Sequence, residues 1–117
     1  MELASKLPIS PAEGLSRLQD CPTEFVELFK HGSLIVEFYK PDRVDKQQPH
    51  DRDEVYVITS GSGTFDYAGA KMLVKTGDLL FVPTGVDHHF ERFTNDFATW
   101  VLFYGPKGGE KEDSFIH

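Results

Sequence analysis

Between Leu34 and Tyr104 the apolar residues fall in short runs split by turn residues. Leu34 to Tyr39, Val55 to Thr59, Gly63 to Tyr67, Lys71 to Val74, Leu79 to Val82, His88 to Phe93 and Phe97 to Tyr104 are rich in β-branched and aromatic side chains, which predicts strands. Six of these seven runs fit in about fifty residues, a density that implies an all-β sandwich or barrel. Phe25 to Lys30 suits a helix through Phe25, Leu28 and Phe29, yet it also nearly alternates. The turn-like His31-Gly32-Ser33 before Leu34 makes a hairpin the economical reading. Upstream, Ser10-Pro11-Ala12-Glu13 reads as a capping box that opens a short helix to about Leu18, weakened by Gly14.

Pro41 to Pro49 is polar, with two prolines and no apolar period, and is expected to be a surface loop leading inward. The chain thus divides into an N-terminal helix and first strand region over 1–33, a barrel over 34–104 and a glycine- and charge-rich tail over 105–117, expected to be mobile, all within one domain. The 12 Lys and Arg against 19 Asp and Glu give a net charge of −7, with no basic cluster, which argues against nucleic acid or an anionic membrane as partner. No apolar run is long enough to span a bilayer; Leu79 to Val82, for one, ends at Pro83 after four residues. Cys21 is alone, so a disulfide within the chain is excluded, and a reducing, cytoplasmic setting fits best.

His50 and Glu54 lie four residues apart at the start of a predicted strand, and His88 begins a later one just past Pro83-Thr84-Gly85. Two imidazoles and a carboxylate can hold one divalent metal and leave coordination positions open. The surrounding glycines and prolines carry a resemblance. Gln48-Pro49-His50, then Glu54 after three residues and Gly61 after six more, is similar to the first cupin motif, with glutamine in place of its first histidine. Gly77, Pro83, Gly85 and His88 stand at the spacings of the second cupin motif, with Arg92 where that motif ends in asparagine.

The resemblance to the cupin family implies a jelly-roll double-sheet barrel of six to eight strands whose mouth holds a metal ion (Fe, Mn, Ni or Zn) on His50, Glu54 and His88. Gln48 either adds a weak amide oxygen donor or only holds a water there. The function implied is a metal-dependent enzyme of dioxygenase or isomerase type acting on a small molecule; the alternative is a non-catalytic binding or sensing protein. Asp51 and Asp53 could supply carboxylates that support the ligands, but both are expected to face solvent in the loop, and Gly61 and Gly63 to flank a turn. Tyr56 shares a face with Glu54, while Phe90 and Arg92 share one with His88, so all three are candidates to line the pocket; a packed core tyrosine and a surface salt bridge from Arg92 are the plainer alternatives. His89 should point the opposite way from His88, and His31 and His117 are expected to be solvated. The ten phenylalanines suit a cavity for a partly apolar ligand. Both faces of Phe97 to Tyr104 are apolar, which suggests a homodimer: one core covers one face, and a second copy would cover the other.

Overall fold

The computed structural model describes residues 6–111; residues 112–117 of the expected tail, His117 among them, lie outside the described residues. Ser10 caps helix α1 (Pro11–Leu18) by accepting a hydrogen bond from the Glu13 amide at 3.2 Å. Only half of the expected capping box forms, because the Glu13 carboxylate turns along the helix to pair with Arg17 one turn on.

Eight strands follow: β1 (Phe25–His31), β2 (Leu34–Tyr39), β3 (Asp53–Ser60), β4 (Ser62–Tyr67), β5 (Ala70–Lys75), β6 (Leu79–Val82), β7 (His88–Glu91) and β8 (Ala98–Tyr104). They pair antiparallel in two sheets, one ordered β1-β2-β8-β3-β6 and the other β5-β4-β7. Alternation sends Tyr56, Ile58, Phe65, Val74, Val82, Phe90, Val101 and Phe103 inward to a shared core. Their rings meet largely edge-on or tilted, as with Tyr56 and Phe90 at 5.0 Å between centroids.

The outer face of the larger sheet is apolar as well, and it is covered from within the chain. Leu28, Phe38 and Ala98 form a second buried cluster with Val36 and Trp100, over which Ile9 and Leu18 pack. Helix α1 therefore takes much of the face for which the alternation on β8 had suggested a second copy. Phe38 is fully buried there, with Trp100 edge-on at 5.5 Å.

Two connections shape the end of the barrel that matters below. The loop after β2 is fixed by Asp45, whose carboxylate accepts hydrogen bonds from the Tyr39 hydroxyl (2.6 Å), the Gln47 amide groups and the backbone amide of Phe90 on β7 (2.8 Å). The loop after β6 turns at Gly85, whose φ of +78° is left-handed, and its amide donates to the His50 carbonyl at 2.9 Å. Residues of the two sequence motifs are thus bonded directly to each other. Of the two glycines expected at the β3–β4 turn, Gly61 alone is left-handed, at φ +76°. Gly63 lies within β4, where a Cβ would stand 2.8 Å from that of Phe93, so close approach explains the glycine there.

Candidate metal centre

Glu54 and Tyr56 come from β3 and His88 from β7, all three on the inner face, while His50 precedes β3 at the loop held by Gly85. Glu54 and His88 are almost wholly buried, and the ring of His50 leans edge-on against Phe103 at 4.8 Å. One donor atom from each of His50, Glu54 and His88 lies within 4.8 Å of the others.

The tautomer of His88 sets the chemistry. Its Nδ1 is 2.8 Å from the Val86 carbonyl, an acceptor only, so Nδ1 carries the proton and the neutral ring presents a bare Nε2. That nitrogen stands 2.9 Å from Glu54 Oε1 and 2.9 Å from the Tyr56 hydroxyl. The contact with Glu54 lacks hydrogen-bond alignment, and both Glu54 oxygens and His50 Nε2 are buried with no hydrogen-bond partner. Lone pairs converging on one buried point repel unless a cation or a proton sits among them. Burial alone would lower the His88 pKa, but Glu54 and the Val86 carbonyl outweigh burial and hold it above the ordinary imidazole value. Two nitrogens and a carboxylate are a donor set that first-row divalent metals accept, so the residues present fit a metal ion.

Tyr56 extends this arrangement outward. Its hydroxyl lies 2.8 Å from Gln47 Oε1, to which it donates, and burial beside Glu54 and Asp45 pushes its pKa well up, so it stays a neutral phenol. The amide built into the site is therefore that of Gln47, which Asp45 fixes; Gln48, singled out from the motif spacing, is exposed and lines the cavity above. Motif spacing could not separate adjacent glutamines in a loop without strand alternation.

Two further sequence expectations need correction. Arg92 does not share the inner face with His88, because β7 ends at Glu91 and Arg92 takes φ +52°, which carries its exposed side chain away from the cavity. Asp53 does not face solvent. It is buried, and its carboxylate accepts from the Thr84 amide (2.9 Å) and the Glu110 amide (2.8 Å), which anchors the loop before His88 and the first part of the tail. Asp51 is exposed as expected. Phe90 is core beneath the site, packed on Tyr56, Phe65 and Phe97.

His89 points to the opposite face, where it meets Asp66 and Glu91. Those three could also converge on an ion, but the Lys71 ammonium already lies 2.7 Å from Glu91 and serves as its countercharge.

Above His50 opens a cavity of about 600 Å³, with Phe25, Tyr39, Val101 and Phe103 as apolar wall and Glu37, Gln47 and Gln48 as polar groups. Glu37 escaped the sequence reading because it sits in an apolar run; its place on the inner face follows from alternation with Ile35 and Tyr39. Burial first, then the charges of Glu27 and Glu54, push its carboxyl up from 4.5 to about 7. A carboxyl that ionises later in the fold than in the unfolded chain favours the native state below about pH 4.5 and withdraws that support as pH rises through about 7. The metal-free chain should therefore lose stability relative to Glu37→Gln between those two values. Urea midpoints of both chains at pH 4.5 and pH 8 check this, and an equal gap at the two pH values would refute it.

Comparison with known proteins places these features. The profile of the cupin domain family matches residues 35–104. An uncharacterized protein of Streptomyces coelicolor is 29% identical over 85 residues, covering 71% of this chain and 81% of its own. The crystal structure of a cupin-2 domain containing protein from Shewanella frigidimarina superposes with a TM-score of 0.67 at 14% identity, over 88% of this chain and 99% of its own. A Neisseria meningitidis protein gives a TM-score of 0.65 at 19% identity, over 83% and 98%. At such identities the two structures share the fold alone with this chain.

Proposed function

The chain belongs to the cupin domain family, and from that premise we propose that it is a metal-dependent enzyme of dioxygenase or isomerase type. In this reading His50, Glu54 and His88 hold one Fe, Mn, Ni or Zn ion, and a small, partly apolar molecule enters through the cavity above His50. The observation that carries the reading is the convergence of unpartnered buried donors, His50 Nε2 and both Glu54 oxygens, beside the bare Nε2 of His88. A bound divalent ion would supply Lewis acidity and, if redox-active, electron transfer to or from a bound molecule. The chain's own residues orient and exclude: Val86 fixes the tautomer of His88, Tyr56 places a neutral phenol beside it, and the Phe103 wall keeps water from one side.

Gln48 favours a second reading. It is exposed and leaves three protein donors, a set weaker than one with a third imidazole, and this suits a non-catalytic binding or sensing protein in which the metal anchors a ligand. Elemental analysis of the chain purified without added metal, followed by turnover trials on the loaded protein, separates the two. A redox metal with oxygen uptake supports the dioxygenase type, and zinc with rearrangement of a small metabolite supports the isomerase type. Metal-dependent ligand binding without turnover supports sensing.

Acidification gives a further check. His88 donates only when neutral, so below its raised pKa each pH unit should weaken metal binding by about tenfold. Metal release followed across a pH titration tests this; binding unchanged down to about pH 3 would mean that the histidines are not ligands.

A cytoplasmic homodimer completes the proposal. The lone Cys21 supports the compartment. For the dimer, the exposed Leu73 and Leu79, on β5 and β6, are apolar surface that α1 does not reach. Light scattering at the mass of one chain at every dilution would remove the dimer.

A further inference from the structure

Glu37 is a charged group of the cavity that the metal centre does not employ, and unlike Glu24, which accepts from the Asp42 amide, it has no partner in the chain. On β2 it stands opposite Val101 of β8 on one side and Glu27 of β1 on the other. Like charges directly across a ladder are unfavourable, and the exposed Lys30 of β1, opposite Ile35, forms no ion pair with Glu37. Lys46 lines the same cavity without forming an ion pair with it, and among the described residues no side-chain hydrogen bond engages its carboxyl. A half-buried acceptor against Val101 and Phe103 therefore has no protein partner, and a ligand that displaces water from it must bring a donor or leave it unpaired. Glu37 and His50 line the same cavity, so one small molecule can meet both.

We propose that Glu37 is the specificity contact of this cavity, accepting a hydrogen bond from a hydroxyl or ammonium group on a small, partly apolar molecule whose acidic end reaches the cation held by His50, Glu54 and His88. The inference rests on the metal reading above. It defines the ligand by three chemical parts: an oxygen donor for the metal, an apolar frame against Val101 and Phe103, and a hydrogen-bond donor for Glu37. A ligand without that donor would leave the carboxyl desolvated and unpaired, so discrimination follows from the penalty as well as from the bond.

The test uses the full chain loaded with Co(II), with phenylacetate and its ring-hydroxylated and ring-aminomethylated derivatives as probes, read by calorimetry and by the cobalt visible spectrum. The hydroxylated or the aminomethylated probes should bind about tenfold more tightly than phenylacetate, the size of one charge-assisted hydrogen bond. Glu37→Leu should erase both preferences. Glu37→Gln keeps a carbonyl acceptor, so it should retain the preference for hydroxyl and lose that for ammonium; this arm decides the matter if Glu37→Leu fails to fold. Equal affinity for all probes, no binding by any of them, or a preference that survives in Glu37→Leu overturns the role of Glu37 while Co(II) uptake stands. Failure of the chain to take up Co(II) overturns the metal reading, and this inference with it.

Discussion

Replacing His88 by alanine should lower metal affinity by at least about a hundredfold, since even the loss of a residue that only orients a ligand costs about 10- to 100-fold. His89→Ala should leave affinity within about twofold. Adjacent residues of β7 face opposite sides: His88 is buried against Glu54 and Tyr56, and His89 meets Asp66 and Glu91 outside. Metal content and melting of both variants, prepared alike, decide the assignment. An emptied site in His89→Ala with a filled one in His88→Ala would reverse the register and remove the proposed centre. The metal-free His88→Ala chain should keep its fold, because the apolar core beneath the site, Phe65, Phe90 and Phe97 among it, stays packed.

A change remote from that centre should cost about 1–3 kcal/mol of stability where a gain would ordinarily be expected. Glycine inside a helix normally costs about 0.5–1 kcal/mol relative to alanine, so Gly14→Ala would stabilise an isolated α1. In the folded chain a Cβ at that position would stand 2.6 Å from Cγ of Phe38, a ring fully buried between the helix and β2. Neither backbone nor ring can yield without opening the second core cluster. Denaturant unfolding should show the loss, and in a Phe38→Leu background, where the ring is gone, the penalty should shrink or change sign. An unaltered penalty there would mean that the helix does not rest on Phe38.

The strands were legible because alternation and turn residues act locally: every apolar run after Leu34 became a strand, and Ser10-Pro11 opened the helix. His50, Glu54 and His88 were legible through the resemblance to the two cupin motifs, whose glycines and prolines stand at matching spacings around them. What stayed hidden depends on paths through loops. Arg92 kept the parity of His88 in sequence and lost it to one left-handed residue. Gln47 rather than Gln48 meets Tyr56, because Asp45, not a strand, sets its orientation. Asp53 looked like a solvated loop carboxylate until the amides of Thr84 and Glu110 met it. Gly14 read as a flaw in the helix; its reason lies on a strand more than twenty residues away.

The hydrogen bond from the Phe90 amide to Asp45 bears on how copies of this chain can meet. β7 ends the smaller sheet, and the last strand of a sheet is a template on which a foreign strand can dock through its backbone. Here a side chain has already taken an amide of that border, and the loop carrying it lies alongside. Edge-to-edge growth through β7 would have to evict Asp45, and with it the fixed positions of Gln47 and Tyr39. Backbone pairing between copies is thereby steered to the borders at β1, β5 and β6, away from the loop that holds Gln47 against Tyr56.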